Sequence, residues 1–387
     1  MSYKLKKILE FTKEIFFLRS PLVVFIALLM LFSSCSLFEG NKGCTDSACS
    51  NYDASAKVDD GSCDCSNSVP AFDAQKMRAN YAINIISPAY LNFDSAITAL
   101  IADIEEEDLN AAKERFKLLY LAWAKCEVYG LGPAQNYALS ATVNTFPIDT
   151  SLIDTNIING TYNLNSSAAF LAKGLPALDY ILFKYDELTP SVKQYALDVL
   201  QDMKAYVDIV YNEWVASYSE IFIAKEGSSA SSALASLVNA FNYQVDIIKG
   251  AKVGYPLGRK TLGIPLQDQV EAYHSGYTNE ILIENLKNLK LAFTGNVLGS
   301  DSLGLEDYLN NISTNQDELL SAQIINKIDE IKAATELLEK PLAEAIIEEV
   351  EQVELIYGLL TDLIILTKSD MPSALGVFIS YQDNDGD

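Results

Sequence analysis

Apolar side chains recur along most of this chain at intervals of three and four residues, the period of a helix with one buried face. Phe116, Leu119, Tyr120, Trp123 and then Glu127 hold that spacing, and Ile324, Ile325, Ile328 and Ile331 repeat it near the end. Val192 to Tyr218 and Ala230 to Lys249 are rich in helix formers. Gly and Pro concentrate at 130–133, 254–265 and 295–304, and no alternating runs are separated by hairpin signals. The pattern predicts an all-α fold, packed as bundles, from about residue 71 onward. Gly174-Leu175 leading to Asp179-Tyr180 is echoed by Gly304-Leu305 leading to Asp307-Tyr308. An internal duplication with approximate halves 71–225 and 226–387 would explain the echo. Chance likeness of helix ends explains it equally well.

The first 70 residues break this pattern. Lys4, Lys6, Lys7, Lys13 and Arg19 precede an uncharged apolar run from Pro21 to Phe32. That run is too short to span a bilayer comfortably, where about 20 residues are needed, and it reads as an export signal over 1–34. Phe32-Ser33-Ser34-Cys35 resembles a lipobox, which implies cleavage before Cys35 and lipid attachment there. The expected location is the cell envelope, with the chain held to the outer membrane by acyl chains and facing the periplasm or the exterior. Residues 35–70 form a Cys- and Asp-rich linker in which Cys44, Cys49, Cys63 and Cys65 should be oxidised outside the cytoplasm. Four cysteines allow three pairings, and spacing does not choose among them. Clustered Asp residues there, and Asp383-Asn384-Asp385-Gly386-Asp387 at the end, offer oxygen ligands to Ca²⁺, but neither completes a calcium loop. Cys126, far away on a helix, reads as a buried free thiol.

Composition narrows the function. Hydrophobic residues make up 49% of the 387, enough for a sizeable core and too many for general disorder. The formal net charge of -24 repels phosphate backbones, so nucleic acid is excluded as a partner class.

Several segments together resemble the imelysin-like proteins. They are Leu121-Ala122-Trp123 with Tyr129-Gly130, Asn144 to Asp149 with Leu152-Ile153-Asp154, and Lys173 to Phe183. Further on come Ile248-Lys249-Gly250 with Gly254 to Gly258, Val270 to Gly276, and Gln382 to Asp387. The resemblance covers roughly 71–387. It implies two packed helical bundles, an envelope location, a link in some members to iron or haem acquisition through an outer-membrane uptake receptor, and a peptidase label. It also implies a Gly-x-His-x-x-Glu marker, whose His and Glu sit one helical turn apart and can reach one metal. Here the aligned residues are Gly174, Pro176 and Asp179. Proline has no side-chain donor or acceptor, so Pro176 cannot ligate, and it fits better in the first turn of a helix.

The single histidine, His274, does not replace the lost ligand on inventory alone, because a zinc hydrolase needs three protein ligands and an open position. No His-Glu-x-x-His, phosphate-binding glycine loop or Gly-x-Ser-x-Gly elbow occurs. No catalytic residue is assigned. The candidates for ligand binding are Glu127, a carboxylate on an apolar face; Asp149, which also reads as a helix cap; Arg259, which could pair with Asp179 or an anionic ligand; and His274. Haem would need an iron ligand from His274, Tyr273 or a Met. Three readings follow: a non-catalytic binding lipoprotein, a metallopeptidase with a degenerate metal site, and a structural or adhesion lipoprotein. The degenerate motif favours the first.

Overall fold

The computed structural model describes residues 40–46, 49, 51–64, 72–297, 302–312 and 319–380. The export signal, Cys35, Cys65 and the acidic tail at 383–387 lie outside these residues. The chain divides into two compact units, Met1–Ala71 and Phe72–Asp387.

In the first unit, β1 (Lys42–Gly43) pairs in parallel with β2 (Val58–Asp59). A disulfide joins Cys44 to Cys63, and Cys49 is likewise disulfide-bonded. The bridges supply what so short a segment cannot obtain from a core. Its carboxylates are taken up by turns: Asp53 accepts from the Ser55 N–H and hydroxyl, Asp59 from Gly61 N–H and Asp60 from Ser62 N–H.

The second unit is all-α. Its long helices are α1 (Ala74–Glu105, with a π segment at Asn80–Ile86), α2 (Leu109–Cys126), α3 (Thr150–Asn159), α4 (Gly174–Lys184) and α5 (Pro190–Glu213). There follow α6 (Ala233–Ile247), α7 (Thr278–Thr294), α8 (Leu305–Ile312), α9 (Leu320–Glu336) and α10 (Val350–Ile364). Asp73, Asp108, Asp149 and Ser232 each accept a backbone N–H of the helix they precede, satisfying donors that a helix start leaves open.

Two bundles result. In the first, α1, α2 and α5 pack side by side with α4 laid on α2 and α5; in the second, α7, α9 and α10 stack with α6 against them. The seam is α2 against α7. α1 is long and apolar enough to cross a membrane, but its Tyr90, Phe93, Ile97, Leu100 and Ile104 are buried in the protein. Each such side chain contributes roughly 1.5–3 kcal/mol by leaving water. The predicted stripes face the core: Phe116, Leu119, Tyr120 and Trp123 on α2, and Ile324, Ile328 and Ile331 on α9, are buried, while Ile325 is only partly buried against them. Cys126 is a buried free thiol, as expected.

Candidate functional site

The site forms where α4 begins. Asp149 accepts the Leu152 N–H at 2.9 Å and so starts α3 as a cap. Lys173 is buried, holds Asp202 at 2.9 Å and faces the rings of Phe170 and Tyr206. Gly174 follows with φ +74°, and a Cβ there would lie 2.3 Å from the Val143 carbonyl oxygen. Only glycine allows α4 to start this close to the preceding chain. Pro176 sits in the first turn, where its missing N–H leaves no intrahelical bond unmade.

Asp179, one turn further, is buried. Its Oδ2 accepts the His274 N–H at 2.8 Å and its Oδ1 the Ser275 N–H at 3.0 Å. Both oxygens thus hold the backbone of a loop 95 residues away in sequence. Burial raises the pKa of Asp179 to about 6, against the opposing pull of these bonds.

The same loop places the His274 ring edge-on to Tyr180, with centroids 5.0 Å apart, and to Tyr273 at 5.1 Å. Burial, with Lys184 nearby, lowers the His274 pKa, so the imidazole is neutral at neutral pH. The Tyr180 hydroxyl donates to Asp154, lying 3.0 Å from Oδ1 and 3.1 Å from Oδ2. The Tyr185 hydroxyl donates to the same Oδ1 at 2.8 Å. Burial, then the Asp154 carboxylate, pushes the Tyr180 phenol up to about 12 and raises that of Tyr185 as well.

A second polar cluster is sealed between the bundles. Lys252 is fully buried; its Nζ lies 2.7 Å from Glu127 Oε2 and 3.0 Å from each oxygen of Glu271, and donates to Asn285 Oδ1 at 2.9 Å. Gln244 and Asn285 also donate to Glu127, at 2.9 and 3.0 Å. Asn144 donates to Glu271 at 2.6 Å and receives the Tyr120 hydroxyl at 2.8 Å. Burial alone would pull the Lys252 ammonium down, but the two carboxylates outweigh it and its pKa is raised. Losing one member would strand a charge in a dry interior, which costs about 3–5 kcal/mol.

The structure therefore joins Asp179 to the His274 loop, gives Glu127 a buried partner and makes Asp149 a cap. It does not bring Arg259 to Asp179. Arg259 bonds Glu354 and lies over the Tyr357 ring, 4.5 Å from its centroid, because its loop packs against α10. Sequence reading missed Lys252, Asn285 and the Asp154–Tyr180–Tyr185 group. Lys252 had a signal, since Val245, Ile248 and Lys252 fall on one helical face. A cleft of about 480 Å³ lies elsewhere, beside the 130–141 turn, and none of the residues that line it is charged.

The imelysin family model, that of peptidase M75, matches residues 79–369. No curated protein matches the chain. Among solved structures, an imelysin-like protein from Psychrobacter arcticum 273-4 superposes with a TM-score of 0.65 at 20% identity, covering 80% of this chain and 98% of its own. A proposed iron-regulated protein A precursor from Parabacteroides distasonis ATCC 8503 gives 0.67 at 16% identity, covering 80% and 99%. At these identities the likeness is one of fold.

Proposed function

Since this chain belongs to the imelysin family, we propose that it is an envelope-anchored, non-catalytic binding protein whose cargo is iron or an iron-bearing ligand. One observation carries the non-catalytic part. Where the family marker would set His and Glu, this chain has Pro176 and Asp179, and both Asp179 oxygens are engaged by backbone amides. A metallopeptidase needs protein ligands with lone pairs to spare and an open coordination position. The iron part is supported by the relative from Parabacteroides, which is itself described as iron-regulated. The anchor rests on the apolar run and small residues before Cys35, and an outer-membrane uptake receptor is the partner that such a cargo would imply.

One experiment on the full chain expressed in its envelope tests this. The protein is expected to enter the detergent phase when extracted, and Cys35→Ser to remain in the aqueous phase. The purified protein should hold no stoichiometric zinc and leave casein intact with or without a chelator. Zinc at one equivalent, lost in Asp179→Ala together with chelator-sensitive digestion, would overturn the reading.

A further inference from the structure

We propose that the end of the second bundle where α9 stops and α10 starts is a docking surface for a segment of another protein in which apolar side chains alternate with lysine or arginine. That role is separate from the proposed cargo and does not rest on it. Two hollows adjoin there, of about 320 and 540 Å³, and Val350 at the start of α10 lines both. Pro265 and Ile346 line the first, and Leu337 and Ile347 the second. Leu337, Ile347 and Val350 are all exposed, although large apolar side chains gain by leaving water. Exposed apolar surface gathered in one place, with a polar rim, marks an interaction face.

The loop at 258–264 adds two rigid apolar side chains to its edge. Leu262 is fully exposed and held at φ +55°, a left-handed conformation that strains a leucine. Its neighbours fix it there. The Thr261 and Gly263 N–H groups both donate to the Gly258 carbonyl at 3.0 Å, and the Ile264 N–H donates to the Thr261 carbonyl at 3.1 Å. The Thr261 hydroxyl donates to the Ile264 carbonyl at 2.6 Å. Ile264 itself is 63% exposed and follows Gly263, which lines the first hollow. Side chains already held in place lose little freedom when a partner covers them.

Charge selects the occupant. Five glutamates and one arginine line the two hollows. Arg259 is held by Glu354, and Lys340 is shared by Glu344 and Glu348. Glu349 accepts the N–H groups of Glu339 and Lys340. Glu339 and Glu351 have no cationic partner among the described residues. The result is an apolar groove with a negative rim, which a segment bearing Lys or Arg complements. A second copy does not fit: the chain carries a net charge of -24, and a two-fold contact would set these glutamates against their own copies. An anionic lipid surface is repelled for the same reason.

The purified full chain is titrated with a fluorescein-labelled amphipathic peptide made of leucine and lysine alone, followed by anisotropy at low salt. Saturable one-to-one binding is expected, weaker as salt is raised, and the same peptide with glutamate for lysine should not bind. Leu262→Gly should weaken binding about tenfold and melt no lower than the native chain, because glycine accepts the positive φ. Glu339→Gln combined with Glu351→Gln should weaken it to a similar extent and flatten the salt dependence. Ile158→Ser, an exposed position on α3, should change nothing. Absence of saturable binding overturns the surface, and so does binding that both Leu262→Gly and the glutamate pair leave unchanged. A dimer in sedimentation that Leu262→Gly dissolves, or attachment to anionic vesicles that it abolishes, also overturns the proposal and gives the face to a second copy or to a membrane.

Discussion

Two corners of this molecule begin alike and end differently. At the first, Gly174 opens α4 so close to the preceding chain that a Cβ would lie 2.3 Å from the Val143 carbonyl oxygen. At the second, Gly304 precedes α8, and a Cβ there would lie 2.2 Å from the Thr294 carbonyl oxygen. Each glycine is followed within two turns by an aspartate. Asp307 turns back and accepts the Gly304 N–H at 2.8 Å, a local cap. Asp179 reaches away from its own helix to two amides of the His274 loop. The same joint thus serves helix initiation in one place and a long-range tether in the other. The imidazole and the phenols gather at the tethered corner.

The largest effect is expected from the glycines themselves. Gly174→Ala should lower stability by about 4 kcal/mol, because a left-handed backbone costs a non-glycine residue roughly 1–3 kcal/mol and an overpacked contact adds a similar amount. Gly304→Ala meets a carbonyl equally closely, but no positive φ accompanies it, so its loss should be smaller. Urea denaturation of both variants measures the difference. A greater loss at Gly304 would mean that the contact alone sets the cost and that the left-handed turn contributes nothing.

The corners also show what sequence makes legible. Helices announce themselves because one-sided burial imposes a period, as the stripe from Phe116 to Trp123 shows. Asp149 was readable as a cap because capping is local, and its acceptance of the Leu152 N–H needs only the next turn. Glu127 was readable as a carboxylate on an apolar face. Its partner Lys252 lies 125 residues on, and no local pattern encodes such a pairing. Asp179 was visible as a position but not in its role. Its partners are backbone amides, which every residue but proline carries, so they leave no mark in a sequence. Tyr180 and Tyr185 meet on Asp154 only because α3 folds back beside α4.

Removing each carboxylate sharpens the comparison at the next level. Asp179→Ala leaves two amides of the 270–277 loop without an acceptor in a partly dry setting, and should cost about 2–4 kcal/mol. Asp307→Ala removes one cap and should cost about 1 kcal/mol. Hydrogen exchange tells the two apart beyond magnitude. His274 and Ser275 amides should lose protection in the first variant and keep it in the second. Unchanged protection in Asp179→Ala would show that the loop is held by other contacts, and that the carboxylate is a passenger at this corner.

The smallest effect is a titration, and it isolates burial from tethering. The pKa of Asp179 is raised to about 6 by burial, with Glu271 adding to the rise, although both amide bonds favour the charged form. A carboxyl whose folded pKa exceeds its unfolded value binds its proton more tightly when folded. Its contribution to stability is therefore complete below the ordinary carboxylate range near 4 and is lost as pH climbs through about 6. The amide resonances of His274 and Ser275 should shift with a midpoint near 6, and Asp179→Asn should flatten both curves. A midpoint near 4 would mean that the two amide bonds outweigh burial, leaving Asp179 ionised at neutral pH. The tether would then owe its strength to a fixed charge, and the contrast with Asp307 would be one of reach alone.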